Sequence, residues 1–148
     1  MPARRLDDVI DTLRAKGRRV TTPRREILRA LIEHPEHPTA EQLTAEVQAR
    51  QPDVNASTVY RFLDDLERQG IVDHVHLGHG PAVYHFTDDT HHHLICETCG
   101  RVTQVPQQTF DTLREQLRDD YHFEMEPHHF ALPGRCQTCA QSSSPRPS

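Results

Sequence analysis

Long apolar runs are absent from this chain, so no segment has the length of a membrane span. The first nineteen residues are charged and helical in pattern and hold no signal-peptide core, which points to a soluble protein of the cytoplasm. Tryptophan is missing, and three tyrosines and five phenylalanines in 148 residues leave material for modest cores only. Two small domains fit that supply better than one, because the pattern turns from helical to strand-and-loop near residue 88. No internal repeat is present, which removes solenoid and propeller architectures. Excess positive charge is lacking too: the formal net charge is −5, which looks wrong for a nucleic-acid binder until the chain is divided. Residues 1–25 hold eight Arg or Lys, among them Arg18 and Arg19, against three Asp, a net of +5, so the other 123 residues sum to −10. Such asymmetry suits a local footprint for phosphate, and on charge alone a solvated basic helix explains it as well.

What is present begins with four amphipathic helices. Leu6, Val9, Ile10 and Leu13 recur at helical spacing up to Gly17. Thr22 as cap and Pro23 at the first position open a second helix with Ile27, Leu28, Leu31 and Ile32 as its stripe, stopped by Pro35 and Pro38. Thr39 with Gln42 is a capping box for a third, whose Ala40, Leu43 and Val47 face inward until Pro52. Asn55 caps a fourth, Ala56 to Gln69, closed by Gly70. Its stripe of Val59, Phe62, Leu63 and Leu66 leaves Ser57, Tyr60, Arg61, Asp64 and Arg68 on the opposite face. Ser57, Thr58, Tyr60 and Arg61 offer hydroxyls for phosphate, a stacking plane and a fork for guanine, although Tyr60 also fits as an ordinary residue at a domain edge. Two short strands, Ile71 to Leu77 and Ala82 to Phe86, flank a Gly-rich turn. Helices followed by such a hairpin predict the winged form of the helix-turn-helix.

After the polar hinge Thr87 to Thr90, strands are expected at Leu94 to Cys96, Arg101 to Val105 and Phe130 to Leu132. Pro106 is expected to open a helix carrying Phe110, Leu113, Leu117 and Tyr121 on one face. The last eight residues, Gln141 to Ser148, are Ser/Pro-rich and read as a disordered tail. The expected class is therefore α+β: a winged-helix domain over 1–86, a hinge over 87–90, a metal-binding α/β domain over 91–140 and a tail over 141–148.

Cysteine is confined to Cys96, Cys99, Cys136 and Cys139, two Cys-X-X-Cys pairs 36 residues apart. In a reducing compartment this pattern predicts ligands of a closed, structural zinc site. A thioredoxin-like redox role is disfavoured because neither pair is expected to open a helix after a strand in a βαβ pattern. Histidine, by contrast, is abundant, at twelve residues. His91 and His93 leave the same face of a strand, His85 lies across the hinge, and His37 in a proline-bounded loop is a fourth candidate for a second metal site. Solvated loop histidines are the bland alternative. His92 points the other way and can join Asp111 and His128 in an additional site. His74 and His76 share one face of the first hairpin strand if Val75 and Leu77 pack inward, and His79 at the turn meets solvent or phosphate.

Together these residues resemble the ferric uptake regulator family of metal-sensing bacterial repressors. Val20-Thr21-Thr22-Pro23-Arg24, Ser57-Thr58-Val59-Tyr60-Arg61, His91-His92-His93-Leu94-Ile95-Cys96 and both Cys pairs fall in the family's order and spacing over almost the whole chain. The resemblance implies a DNA-binding domain, a small dimerisation domain and a homodimer on palindromic double-stranded operators, with neither a membrane nor a small-molecule substrate as partner. It implies DNA contacts by Tyr60 and Arg61, zinc on the four cysteines, and a regulatory divalent metal, nickel, zinc or iron, on His37, His85, His91 and His93. His92, Asp111 and His128 fall on the family's additional site, which here has Thr90 in place of one usual histidine. Position 85 is His where iron sensors often carry a carboxylate, and Gln104 matches the Asp of the peroxide-sensing branch, which argues against iron-based peroxide sensing. The stretch from His74 to Gly80 resembles the wing of the nickel-responsive branch, which implies His129 as the third ligand beside His74 and His76. All-imidazole sets suit nickel or zinc better than iron.

Other functions explain less. A zinc deaminase is suggested by His122-Phe123-Glu124 before the last Cys pair, but Pro133 is not adjacent to Cys136, the interval is short, and the first Cys pair is left without a role. A metal-storage protein or metallochaperone accounts for the histidines and leaves the helical half idle.

Overall fold

The computed structural model describes residues 6–77, 80–88, 91–125 and 131–142. By their internal contacts these fall into two compact units, Met1–Asp73 with Ala82–Phe86, and His74–Pro81 with Thr87–Ser148. The segment His74–Pro81, which precedes the boundary expected from sequence after residue 86, is grouped by contacts with the second unit.

Helix α1 spans Leu6–Ala15 and buries Val9, Ile10 and Leu13. Gly17, at φ +75°, turns the chain so that the Arg18 N–H returns to the Leu13 carbonyl at 2.9 Å. Helix α2 spans Thr22–Glu33, and its cap is Thr21, one residue earlier than expected. The Thr21 hydroxyl accepts from the Arg24 N–H at 3.4 Å. Pro23 then sits second in the helix, where its missing N–H is still among those without an intrahelical acceptor. The helix stops at His34, which takes the extended backbone that a residue before proline prefers. Helix α3, Ala40–Arg50, has the predicted capping box, with Gln42 N–H to the Thr39 hydroxyl at 3.1 Å and Thr39 N–H to the Gln42 side chain at 2.9 Å.

Helix α4 is Ala56–Arg68, and Gly70 follows at φ +71°. Asn55 holds the cap position, but its side chain makes no capping hydrogen bond, contrary to expectation. Val59, Phe62, Leu63 and Leu66 are buried in one cluster with the stripes of α1, α2 and α3. Strands β1 (Val72–His76) and β2 (Ala82–Phe86) form a two-stranded sheet. A bridge between Thr39 and Val83, with Tyr84 N–H on the Pro38 carbonyl at 2.8 Å, ties β2 to the loop before α3.

In the second unit β3 (His91–Cys96) is the central strand, antiparallel to β4 (Val102–Pro106) and parallel to β5 (Ala131–Gly134). Strand β3 starts three residues before the expected Leu94, because the three histidines themselves take part in the ladder, with His91 opposite Pro106 and His93 opposite Gln104. Pro106 ends β4 instead of opening a helix; a 3-10 turn, Gln107–Phe110, precedes α5, Asp111–Tyr121. Phe110 is buried, whereas Leu113 and Tyr121 remain exposed, as do Val102, Phe123 and Leu132. A short helix α6, Gln137–Gln141, takes in the first residue of the expected tail. Among the described residues no helix is long and apolar enough to cross a membrane.

Candidate metal centres and nucleic-acid face

The turn after β3 and the segment after β5 bring the four cysteines together. Parallel pairing sets Cys96 beside Gly134, two residues before Cys136, so each strand delivers one pair. All four Sγ atoms lie within 4.8 Å of one another. Cys99 and Cys136 are 3.9 Å apart, too far for a disulfide of about 2.05 Å and near the roughly 3.8 Å between two sulfurs on one tetrahedral zinc. Backbone N–H groups, first that of Cys136 and then that of Cys99, hold the Cys96 thiol down to about 5. Cys136 is lowered chiefly by the Cys139 N–H, while Cys139 is pushed up to about 12, chiefly by Cys136 itself. Thiolates this close oppose the loss of the last proton, and a dication removes that opposition. The donor set therefore fits a metal. Cys136 caps the short helix α6 after β5, but no strand follows α6 among the described residues, so the pair does not sit in a βαβ unit. Convergence of all four sulfurs, rather than the local context of each pair, is what favours ligation over redox exchange.

The first unit places His37 beside His85, with ring centroids 5.4 Å apart. His37 sits just before Pro38, to which β2 is hydrogen-bonded, and His85 is on β2 itself, so the strand's attachment creates the pair. His85 is buried, and its Nδ1 lies 3.1 Å from the Phe86 carbonyl. An Nδ1–H donated there selects the tautomer whose Nε2 carries the lone pair, the usual support of a ligating imidazole. In the second unit His91 and His93 alternate with His92 along β3, and their Nε2 atoms are 3.2 Å apart. Two nitrogens on one tetrahedral ion at the usual zinc distance are about 3.3 Å apart, so this pair fits a shared metal.

His92 points to the other side, as expected, and is buried with its ring edge-on to Phe110 at 5.2 Å. Burial, then the charge of Arg114, pushes its imidazole below the ordinary range, and Arg114 Nη2 lies 3.2 Å from Nε2. His74 and His76 are both exposed, 5.7 Å apart and perpendicular, with Val75 buried between them, as the alternation predicts. His79, His128 and His129 lie outside the described residues.

On α4, Ser57, Tyr60 and Arg61 are exposed on one face and Thr58 is half-buried. Tyr60 retains 48% of its surface although its stripe neighbours are enclosed. Arg19 is exposed, and its carbonyl accepts from Arg24 Nη1 at 2.7 Å. Arg18 is not simply solvated: its Nη2 is 3.3 Å from Asp65 Oδ1. With its carboxamide oxygen turned toward Arg18, Gln69 also accepts from Nε at 3.2 Å. Arg18 thus anchors the α1–α2 loop to α4. Sequence reasoning missed Asp65, hidden among exposed acidic residues, and Arg114, three residues after Asp111 at the spacing of an ordinary helical ion pair.

Comparison with known proteins bears on the whole arrangement. The model of the ferric uptake regulator family matches residues 15–132. The Staphylococcus aureus peroxide-responsive repressor is 31% identical over 137 residues, 90% of each chain. The Bacillus subtilis peroxide operon regulator is 27% identical over 97% of this chain and 99% of its own. Among solved structures, the Vibrio cholerae ferric uptake regulator superposes with a TM-score of 0.70 at 30% identity, over 87% of this chain and all of that one.

Proposed function

Because this chain belongs to the ferric uptake regulator family of metal-responsive transcription regulators, we propose that it is a metal-dependent repressor that binds palindromic double-stranded operators as a homodimer in the cytoplasm. The observation that carries this reading is the distribution of imidazole pairs: His37 with His85 in the unit that bears the α4 face, and His91 with His93 in the other. One divalent ion taking ligands from both pairs would favour a single arrangement of the two units, and through the dimer a single spacing of its two recognition helices. Tyr60, Arg61, Ser57 and Thr58 would read the operator, with Arg19 on phosphate. The four cysteines would hold a structural zinc with no open coordination position, which supports a regulator and not an enzyme. Exposed Val102, Leu113, Tyr121, Phe123 and Leu132 supply apolar surface for a second copy of the chain.

For the effector, an all-imidazole set favours nickel or zinc over iron, and His74 with His76, joined by His129, would add selectivity for nickel. Peroxide-responsive repressors are among the relatives, but Gln104, opposite His93 on β4, brings a neutral carboxamide where the resemblance implies the peroxide-sensing Asp. Metal sensing without peroxide chemistry is therefore the reading preferred. The test is operator affinity as a function of free nickel, zinc and iron for the native chain, His91→Ala and His76→Ala. His91→Ala should abolish metal-stimulated binding while leaving the zinc content and the metal-free dimer intact, and His76→Ala should blunt the nickel response alone. An unchanged metal response in His91→Ala refutes the clamp.

A further inference from the structure

His92 and Asp111 belong to the set that the family resemblance implies for an additional metal site. At His92 Nε2 and Asp111 Oδ1 the place of a cation is already taken by a guanidinium. Arg114 lies three residues beyond Asp111 on α5 and directs one arm of its guanidinium at each: Nη2 is 3.2 Å from His92 Nε2, and Nη1 is 3.5 Å from Asp111 Oδ1. His92 is 1% exposed, its ring held against Phe110, and the Arg114 side chain is 21% exposed, so neither is a loosely solvated group. An ion bonded to His92 Nε2 would sit about 2.0–2.1 Å from it, along the direction the guanidinium now approaches. It would meet a group that cannot be deprotonated and would be repelled by it.

We propose that Arg114 is a resident cation standing in for a metal ion at His92 and Asp111, linking β3 to α5 without metal and barring a divalent ion from that place. A planar fork with two directed donors suits this task, since it satisfies an imidazole lone pair and a carboxylate together, as an ion would. The consequence is a regulator whose second unit keeps its β3–α5 junction whatever the metal supply, with the metal response left to the other histidines. Arg114 is in this sense a specificity-determining residue: it reduces the number of ions each protomer accepts.

The experiment counts cobalt(II) bound per protomer by the full-length chain after dialysis, by elemental analysis and by the ligand-field absorption of the bound ion. Arg114→Ala should gain one cobalt ion per protomer with an imidazole-carboxylate spectrum, and the double variant Arg114→Ala with His92→Ala should return to the native count. A count in Arg114→Ala equal to the native one overturns the proposal. Should Arg114→Ala fail to fold, His92→Gln in the otherwise native chain decides: its count should match the native, and loss of an ion would show that a metal already binds there. Because each result is a difference, it does not depend on the assignments of the four cysteines or of the His37, His85, His91 and His93 set. Failure of either reading is therefore separable from failure of the other.

Discussion

Arg18→Ala separates a structural role from a DNA-binding one. Arg18 and Asp65 stand 3.3 Å apart, with side chains 44% and 11% exposed. At an effective dielectric near 20, two unit charges at that distance attract by about 5 kcal/mol, a ceiling that ignores the cost of taking Asp65 out of water. Because Arg18 is nearly half exposed and screened, the net loss on truncation is on the order of 1–2 kcal/mol, most of it from a carboxylate left unpaired against the helix. With a urea m-value of roughly 2 kcal/mol/M, the unfolding midpoint of the first unit should fall by about 0.5–1 M. Urea melts followed by circular dichroism, run as a double-mutant cycle with Asp65→Asn, should give a coupling of about 1 kcal/mol. In the same assay Arg19→Ala, whose backbone carbonyl and not its side chain bonds Arg24, should stay within about 0.5 kcal/mol of the native chain. Its DNA affinity, however, should weaken equally for all sequences, with a flatter salt dependence. If Arg18→Ala melts as the native chain does and loses DNA affinity instead, the ion pair is incidental and Arg18 serves phosphate.

Three further outcomes are expected. Cys136→Ser, or stripping by a strong chelator, should unfold the second unit and dissociate the dimer, since a structural zinc contributes on the order of 10 kcal/mol; an unchanged melting curve and sedimentation profile would remove the zinc assignment. Arg61→Ala should lose about 1–3 kcal/mol of operator affinity in a gel-shift titration and relax specificity at one base position, whereas native-like binding would mean that α4 does not read the groove. His122 holds the left-handed cap of α5 at φ 51° and ψ 40°, so His122→Gly should raise the stability of the second unit by about 1 kcal/mol, and a lower melting temperature would contradict the strain argument.

Several features that depend on residues a few positions apart were legible in the chain, although the side-chain cap expected of Asn55 and the helix start expected at Pro106 were not formed. The Thr39–Gln42 capping box, the glycine stop at Gly70 and the buried stripe of α4 all appear as predicted. The cap of α2 moved by one residue because two threonines precede Pro23 and only geometry selects between them. The Cys-X-X-Cys spacing marked the four cysteines as a candidate donor set, and the period-two alternation of His91, His92 and His93 assigned them to opposite faces before their strand was seen.

What the sequence could not supply is everything created by pairing across long intervals. His37 meets His85 only because β2 hydrogen-bonds to Pro38, a contact 46 residues away in sequence. The four sulfurs converge because β3 and β5 pair in parallel with Cys96 opposite Gly134, a register no local signal encodes. Arg114 reaches His92 across 22 residues, and Arg18 reaches Asp65 across the whole of α2 and α3. Local propensity and spacing determine which residue types are available and which way each faces. Only the packing of one element on another decides which of them meet, because the energy of an ion pair or a ligand set depends on a few ångströms between atoms whose sequence separation carries no distance at all.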